Sequence, residues 1–419
     1  MLRPTANSMT EKVSMMSKPN LMTKALAISF LLNGILFGAW VARISFFKVH
    51  YDLNKAEISI LLLLLALGAF CAFLFSSKLS ARFGAHHLTF YCSIGYALFF
   101  IGLGLSSTLV IFSLSLFLFG AFHGAMDVAM NTWASEIEKT SKKRIMPTLH
   151  AIFSLGGALG AASTIPFTYW QITPFWHFVA LIIICSPSMF WLIRSLKIAQ
   201  QPNIDNAKIK AKTKDKKSVF ANNSLLIISL VASGCALGEG AIADWASIYM
   251  FQEISTNQAF GAIAYSIFST VMVISRLSAN HLLNAIGTVK SIELCAIASC
   301  IGTVILLLTQ SILMSLVGFA LLGFGYSIIM PLAFSKAANL STTSNSSAPT
   351  ASSAIATVAA FAYGAMLLDP VAIGVIAEVS SLRAAFSLFA FFAAFTFFAA
   401  YCFKDNQALS SHKPAGKTL

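Results

Sequence analysis

The sequence predicts an all-α membrane protein of twelve transmembrane helices in two pseudo-symmetric six-helix bundles. Three observations predict it. Hydrophobic residues make up 57% of the chain and charged ones only 10%, whereas about a quarter of the residues in a soluble domain are charged. Mean hydropathy is +0.79, and most of the chain from Thr23 to Phe403 divides into apolar stretches of about 20 residues, the length that crosses a hydrocarbon layer of about 30 Å. The net charge of +13 gathers in a subset of the loops, which is the pattern of a protein bordered by lipid and argues against a nucleic-acid partner.

Residues 1–22 are polar and basic and read as a cytoplasmic tail; no short apolar core with a small-residue cleavage site follows, so the first apolar segment is expected to stay as a helix. Residues 23–194 form the first bundle, with spans at about 23–46, 57–77, 88–106, 110–133, 147–168 and 176–194. Residues 195–221 hold seven lysines between Lys197 and Lys217 with almost no apolar content, a cytoplasmic linker suited to anionic lipid. Residues 222–403 form the second bundle, with spans at about 222–250, 258–279, 290–309, 312–335, 350–375 and 383–403, and 404–419 are a second cytoplasmic tail.

With the amino terminus in the cytoplasm, 24 of the 28 Lys and Arg residues fall on the cytoplasmic side, the exceptions being Arg43, Lys48, Lys55 and Arg383. Retained loops collect Lys and Arg, so this asymmetry places both termini in the cytoplasm. The seven cysteines lie in or beside apolar stretches with no zinc-like or redox-dithiol spacing. No metal or cofactor is expected.

The two bundles repeat weakly. Asn33–Trp40 (NGILFGAW) aligns with Gly238–Trp245 (GEGAIADW) at an offset of 205, and Pro147-Thr148 with Pro349-Thr350 at an offset of 202. Such duplication allows one half to rock against the other around a central site.

The loop between spans two and three, Ser77–His87 (SKLSARFGAHH), resembles a degraded form of the major facilitator superfamily signature Gly-x-Leu-x-Asp-Arg-x-Gly-Arg-Arg. It keeps Leu79, Arg82 and Gly84 but has Ser77, Ala81, Ala85 and His86 where Gly, Asp and two Arg are usual. The stretches GAWVARI (38–44), GAMDVAMN (124–131) and EGAIADWASIY (239–249) are similar to the branch of that superfamily that contains fucose permease and YbjJ-type bacterial inner-membrane transporters. The resemblance implies the major facilitator fold and a substrate-coupled carrier of the bacterial inner membrane. It names no solute, and Ala81 in place of the acid departs from the usual charge relay of this loop.

Ionisable groups at a helix centre in lipid carry a penalty of about 2.5–3.5 kcal/mol on insertion scales, so those that occur there point to a site. Asp127, Glu239 and Asp369 lie away from the span ends, with His123 and His150; Asp244, five residues beyond Glu239 toward the periplasmic end, is a further candidate, with contact to interfacial water as its alternative. Asp127 shares a helix face with Asn131, four residues on, and His123 lies one turn away. With His150 opening span five, these groups would form a polar cluster able to take up and release a proton. The alternatives are a gate latch in which Asp127 pairs with Arg82 or Lys78, and an inert helix contact. Functional acid in this helix of fucose permease, by the resemblance, points to the first.

Glu239, between two glycines, is expected to face the cavity as a second coupling acid or as a ligand for a hydroxyl or amine of the solute. Asn33, Phe37 and Trp40 share a stripe on span one, with Trp245 as the repeat mate of Trp40. An indole beside an amide suits a sugar, and equally an interfacial anchor. Tyr326 and Tyr363 are further candidates for the cavity wall, Pro331 and Pro370 for kinks, and Arg43 for snorkelling to the interface.

These readings converge on a secondary active transporter working by alternating access, a proton-coupled symporter of a small polar solute such as a sugar or sugar derivative. The proton gradient is its energy source, since no Gly-x-x-x-x-Gly-Lys-[Ser/Thr] loop occurs. An efflux antiporter for drugs or metabolites is the alternative on the same fold. It is disfavoured because span four carries Asp127 rather than an arginine motif, and span five has Gly160-Ala161 in place of Gly-Pro. A non-transporting receptor or scaffold fits poorly with such short loops, and no nucleophile with a base, as an enzyme would need, can be assembled. The expected partners are a small-molecule substrate and the bilayer, the chain being a monomer.

Overall fold

A computed structural model describes residues 6–141, 145–199, 222–340 and 351–404. The expected linker beyond residue 199, the Pro349-Thr350 repeat motif and most of the carboxy-terminal tail lie outside the described residues. In order, the helices are α1 Ala6–His50, α2 Lys55–Phe83, α3 Ala85–Leu105, α4 Leu109–Ser141, α5 Met146–Tyr169, α6 Pro174–Ala199, α7 Asn223–Tyr249, α8 Ala259–Ile286, α9 Thr288–Leu308, α10 Ile312–Tyr326, α11 Ile329–Leu340, α12 Ala351–Val379 and α13 Leu382–Ala399.

Among the described residues, and taking α10 and α11 as one broken span, eleven stretches are long and apolar enough to cross a membrane, and α6 supplies a shorter apolar one, Pro174–Met189. Large apolar side chains such as Ile60, Leu74, Leu98, Val110 and Phe398 are exposed on the outer surface, which is how a bundle solvated by lipid looks. The helices run well past the expected spans; α8 continues seven residues beyond Ala279, to Ile286. Asn54 starts α2 with a capping box closed by Glu57, so the turn from α1 into α2 is fixed by two reciprocal bonds of 2.8 and 2.9 Å.

In the first half α1 packs on α5, and α2 on α4. The α1–α5 seam is backbone against backbone: a Cβ on Gly38 would stand 2.0 Å from the Gly157 carbonyl oxygen, and one on Gly160 2.0 Å from that of Ile35. In the second half α7 packs on α12, α9 on α10 and on α13, and α8 on α10. The halves meet where α5 lies on α8 and α2 on α12.

Hydrogen bonds join the halves at the end of the bundle opposite the termini, called the far end here, and near the middle. At the far end Ser247 Oγ donates to Ser45 Oγ at 2.8 Å, and Lys55 Nζ to the Ala377 carbonyl at 2.9 Å. Ser59 abuts Gly374 so tightly that a Cβ there would overlap its hydroxyl. Nearer the middle, Ser266 Oγ donates to the Ala158 carbonyl at 3.1 Å.

Two sequence expectations change. Arg43 does not snorkel: it is buried, with Nη2 donating to the Ile172 carbonyl at 3.1 Å and Nε to His177 Nδ1 at 3.5 Å, because the α5–α6 turn folds over it. Arg276, counted above among the cytoplasmic cations, lies ten residues before the end of α8 and points into the interior.

Candidate transport site

A cavity of about 210 Å³ lies between the halves, with walls from α1, α2, α4, α5, α7, α8 and α12. Its apolar lining combines aliphatic side chains with the aromatic rings of Phe37, Phe70, Phe73, Phe153, Tyr265 and Tyr363. Its polar lining is Asp127 and His123 from α4, Glu239 and Asp244 from α7, and Asp369 from α12. Both halves therefore contribute carboxylates to one space.

Asp127 is held by its own helix: Asn131 Nδ2 donates to its Oδ1 at 3.0 Å and to its carbonyl at 2.9 Å. Arg82 is exposed at the last turn of α2, its guanidinium 5.3 Å from the Phe83 ring centre. The Asp127–Arg82 or Asp127–Lys78 latch is therefore not formed in this conformation. His123 stacks on Phe37 with ring centres 5.0 Å apart and meets Tyr96 at 5.4 Å. Tyr363, 46% exposed, leans on Phe73 across the halves at 5.3 Å and stands within electrostatic reach of Asp127.

Glu239 is paired. Arg276 Nη2 lies 3.4 Å from both carboxylate oxygens, the two side chains being 15% and 31% exposed. The same guanidinium donates from Nη1 to Ser154 Oγ of α5 at 2.8 Å and from Nε to the Ser327 carbonyl at 3.1 Å. The last bond has a local cause. The residue four places after Ser327 is Pro331, which has no N–H, so the helix cannot satisfy that carbonyl and breaks between α10 and α11. Arg276 supplies the missing donor. All of its nitrogens then have partners.

Asp244 of α7 and Asp369 of α12 both line the cavity and stand within electrostatic reach of each other. Asp369 is 2% exposed, and its Oδ1 has no hydrogen-bond partner among the described residues. The approach depends on Gly240, where a Cβ would stand 2.1 Å from Asp369 Oδ2.

The other predicted residues lie elsewhere. His150 is exposed beside Phe30, ring centres 5.7 Å apart, and outside the cavity lining. Trp40 is fully buried among Phe47, Phe112 and Phe119, Trp245 is fully buried beside Gly374, and neither indole N–H has a partner. Asn33 is buried beside a separate cleft bounded by α1, α3, α4 and α6, and Tyr326 packs its ring on Gly238 on the far side of α7 from the cavity. The cavity thus gathers Asp127, His123, Glu239, Phe37 and Tyr363, with Asn131 supporting Asp127, and adds Asp369; Arg276, not itself a lining residue, pairs with Glu239, and neither it nor Asp369 belongs to the sequence-based set of site residues.

Comparison with known proteins agrees with this architecture. The Major Facilitator Superfamily profile matches residues 25–364. An uncharacterised transporter of Sinorhizobium fredii, y4wD, is 36% identical over 363 residues, covering 87% of this chain and 93% of that protein. Membrane protein MosC of Rhizobium meliloti is 28% identical over 86% of this chain and 85% of its own, and an uncharacterised MFS-type transporter of Yersinia pestis is 27% identical over 86% and 90%. Among solved structures, the nucleoside transporter NupG superposes with a TM-score of 0.66 at 14% identity, over 92% of this chain and 98% of that one, a likeness of fold. A helical bundle with a central polar cavity, a family profile over most of its length and transporter relatives along nearly all of it lead to one assignment: the chain belongs to the Major Facilitator Superfamily of membrane transporters.

Proposed function

We propose that the protein is a proton-coupled symporter of a small polar solute, a sugar derivative being the leading class, and that it works by alternating access between its two halves, residues 23–194 and 222–403. The observation that carries this reading is the set of carboxylates from both halves around one cavity, of which, among the described residues, only Glu239 has a basic partner. A carboxylate that gains and loses a proton as the cavity changes sides is the minimum device for coupling. Asp127, tied to Asn131 alone, takes that role; Glu239 and Arg276 organise the opposite wall. The bonds between Ser45 and Ser247 and between Lys55 and Ala377 close the far end, so the conformation is the one facing the terminal end. With both termini in the cytoplasm of a bacterial cell, that is the inward-facing state in the inner membrane, and the chain acts as a monomer.

The test is uptake into liposomes. An inward proton gradient should accelerate solute entry, and a protonophore should abolish the acceleration. Asp127→Asn should lose at least about tenfold of gradient-driven uptake while retaining solute exchange between equal pools. Uptake indifferent to the gradient would sink the coupling.

A further inference from the structure

The charge balance of the cavity narrows its solute. Four carboxylates, Asp127, Glu239, Asp244 and Asp369, face one arginine. Its charge is already balanced by Glu239, and each of its three nitrogens already donates, to Glu239, Ser154 or the Ser327 carbonyl, so an anionic group would meet no free positive charge there. The surplus acid lies on the α7–α12 side. There Asp244 borders the cavity, and Asp369 Oδ1 is buried without a hydrogen-bond partner among the described residues. A buried carboxylate oxygen lacking a donor carries an uncompensated desolvation penalty, which a ligand able to donate several hydrogen bonds would remove. The remaining wall mixes aliphatic side chains such as Leu62, Leu65 and Met366 with the aromatic rings of Phe37, Phe153, Tyr265 and Tyr363. Acids beside aromatic faces attract a cation from two directions, since the ring quadrupole adds to the charge. A neutral polyol would use neither the surplus charge nor the ring faces fully.

We propose that the transported solute carries a protonated amine, and that this ammonium seats at the Asp244–Asp369 pair beside the aromatic rings. The inference rests on the transporter reading above and specifies the solute class of the same cavity. Glu239 and Arg276 are neutralised by each other, so the hydroxyl-bearing remainder of a small amino solute lies towards them, where their outer lone pairs and N–H edges serve as hydrogen-bonding partners. Asp127, in the other half, is left for the proton.

The experiment measures thermal unfolding of the purified full-length protein with matched probes: glucosamine, glucose, N-acetylglucosamine and glucuronate, then ethanolamine against ethylene glycol, and sodium chloride against choline chloride. The free amines, glucosamine or ethanolamine, should raise the midpoint by about 2 °C or more through mass action, and their acetylated, neutral and anionic counterparts should not. The Asp244→Asn/Asp369→Asn protein should lose that response. The comparison of free with acetylated amine uses the unaltered protein, so it stands even if the double variant folds poorly. Equal stabilisation by glucose, a response to sodium alone that matches the amines, or no response to any amine would overturn the proposal. Proton-driven uptake of a neutral solute would refute this inference and leave the symport reading intact. Amine binding with uptake indifferent to the gradient would do the reverse.

Discussion

Helices α1 and α7 are repeat mates, and they use the same register for different ends. At the offset of 205 residues, Trp40 matches Trp245, and both are fully buried with their indole N–H groups unpaired. The same offset matches Gly34 with Glu239. On α1 that position is packed onto α5, where a Cβ would stand 2.1 Å from the Phe153 carbonyl oxygen; on α7 it carries the carboxylate that meets Arg276. Towards the cavity α1 presents Phe37, while α7 presents Glu239 and Asp244. The repeat has preserved how the helices stack and let their polar chemistry diverge. At this position the first half is joined by close backbone contact, and the second carries a charge.

The comparison can be broken most severely at the α1–α5 seam. Gly38→Leu drives a side chain into the Gly157 backbone, which cannot yield as a side chain would. It should lower stability by about 3 kcal/mol or more and abolish the monodisperse peak in size-exclusion chromatography. Gly240→Ala meets only the carboxylate end of Asp369, which can swing aside. That protein should fold, with transport impaired far more than its unfolding midpoint.

A smaller effect is expected at the charged seam. Arg276→Ala leaves Glu239 without its cation and the Ser327 carbonyl without a donor. A loss of about 2–3 kcal/mol is expected, and adding Glu239→Gln should recover part of it in a double-mutant cycle. Simple additivity of the two changes would show that the pair is not coupled.

At the far end, Lys55→Met removes one bond between the halves, worth about 1 kcal/mol. It should favour opening there, read as about fivefold faster alkylation of a cysteine placed at Ser247. The least effect belongs to Trp40→Phe and Trp245→Phe. Each loses volume but no hydrogen bond, so stability should fall by less than about 1.5 kcal/mol with uptake unchanged. A large uptake defect in either would mean that the indoles reach the solute in another conformation.

Hydropathy made the helices and their pairing into halves legible, because lipid forces a long apolar run for every crossing. It could not reveal depth. Arg276 lies near the end of an apolar stretch and reads as an anchor, yet α8 continues for ten residues beyond it, through mixed polar and apolar sequence, to Ile286. The proline that breaks span ten was the available signal, since its missing N–H obliges some donor to visit Ser327. Helical spacing put Asn33, Phe37 and Trp40 on a stripe, but a stripe in a bundle has several neighbours, and only Phe37 turns to the cavity. Asp369 was visible as an intramembrane acid; its nearness to Asp244 is a matter of how α12 lies on α7, with Gly240 as the local hint.

Arg276 grips α7, α5 and the joint of the broken tenth span with one rigid, planar group. Bending the joint, parting the halves or disturbing Glu239 each requires the guanidinium to let go of something. A fork with three prongs in three moving parts acts as a mechanical interlock: none of the parts can shift alone without leaving a charge or a carbonyl stranded in an apolar interior.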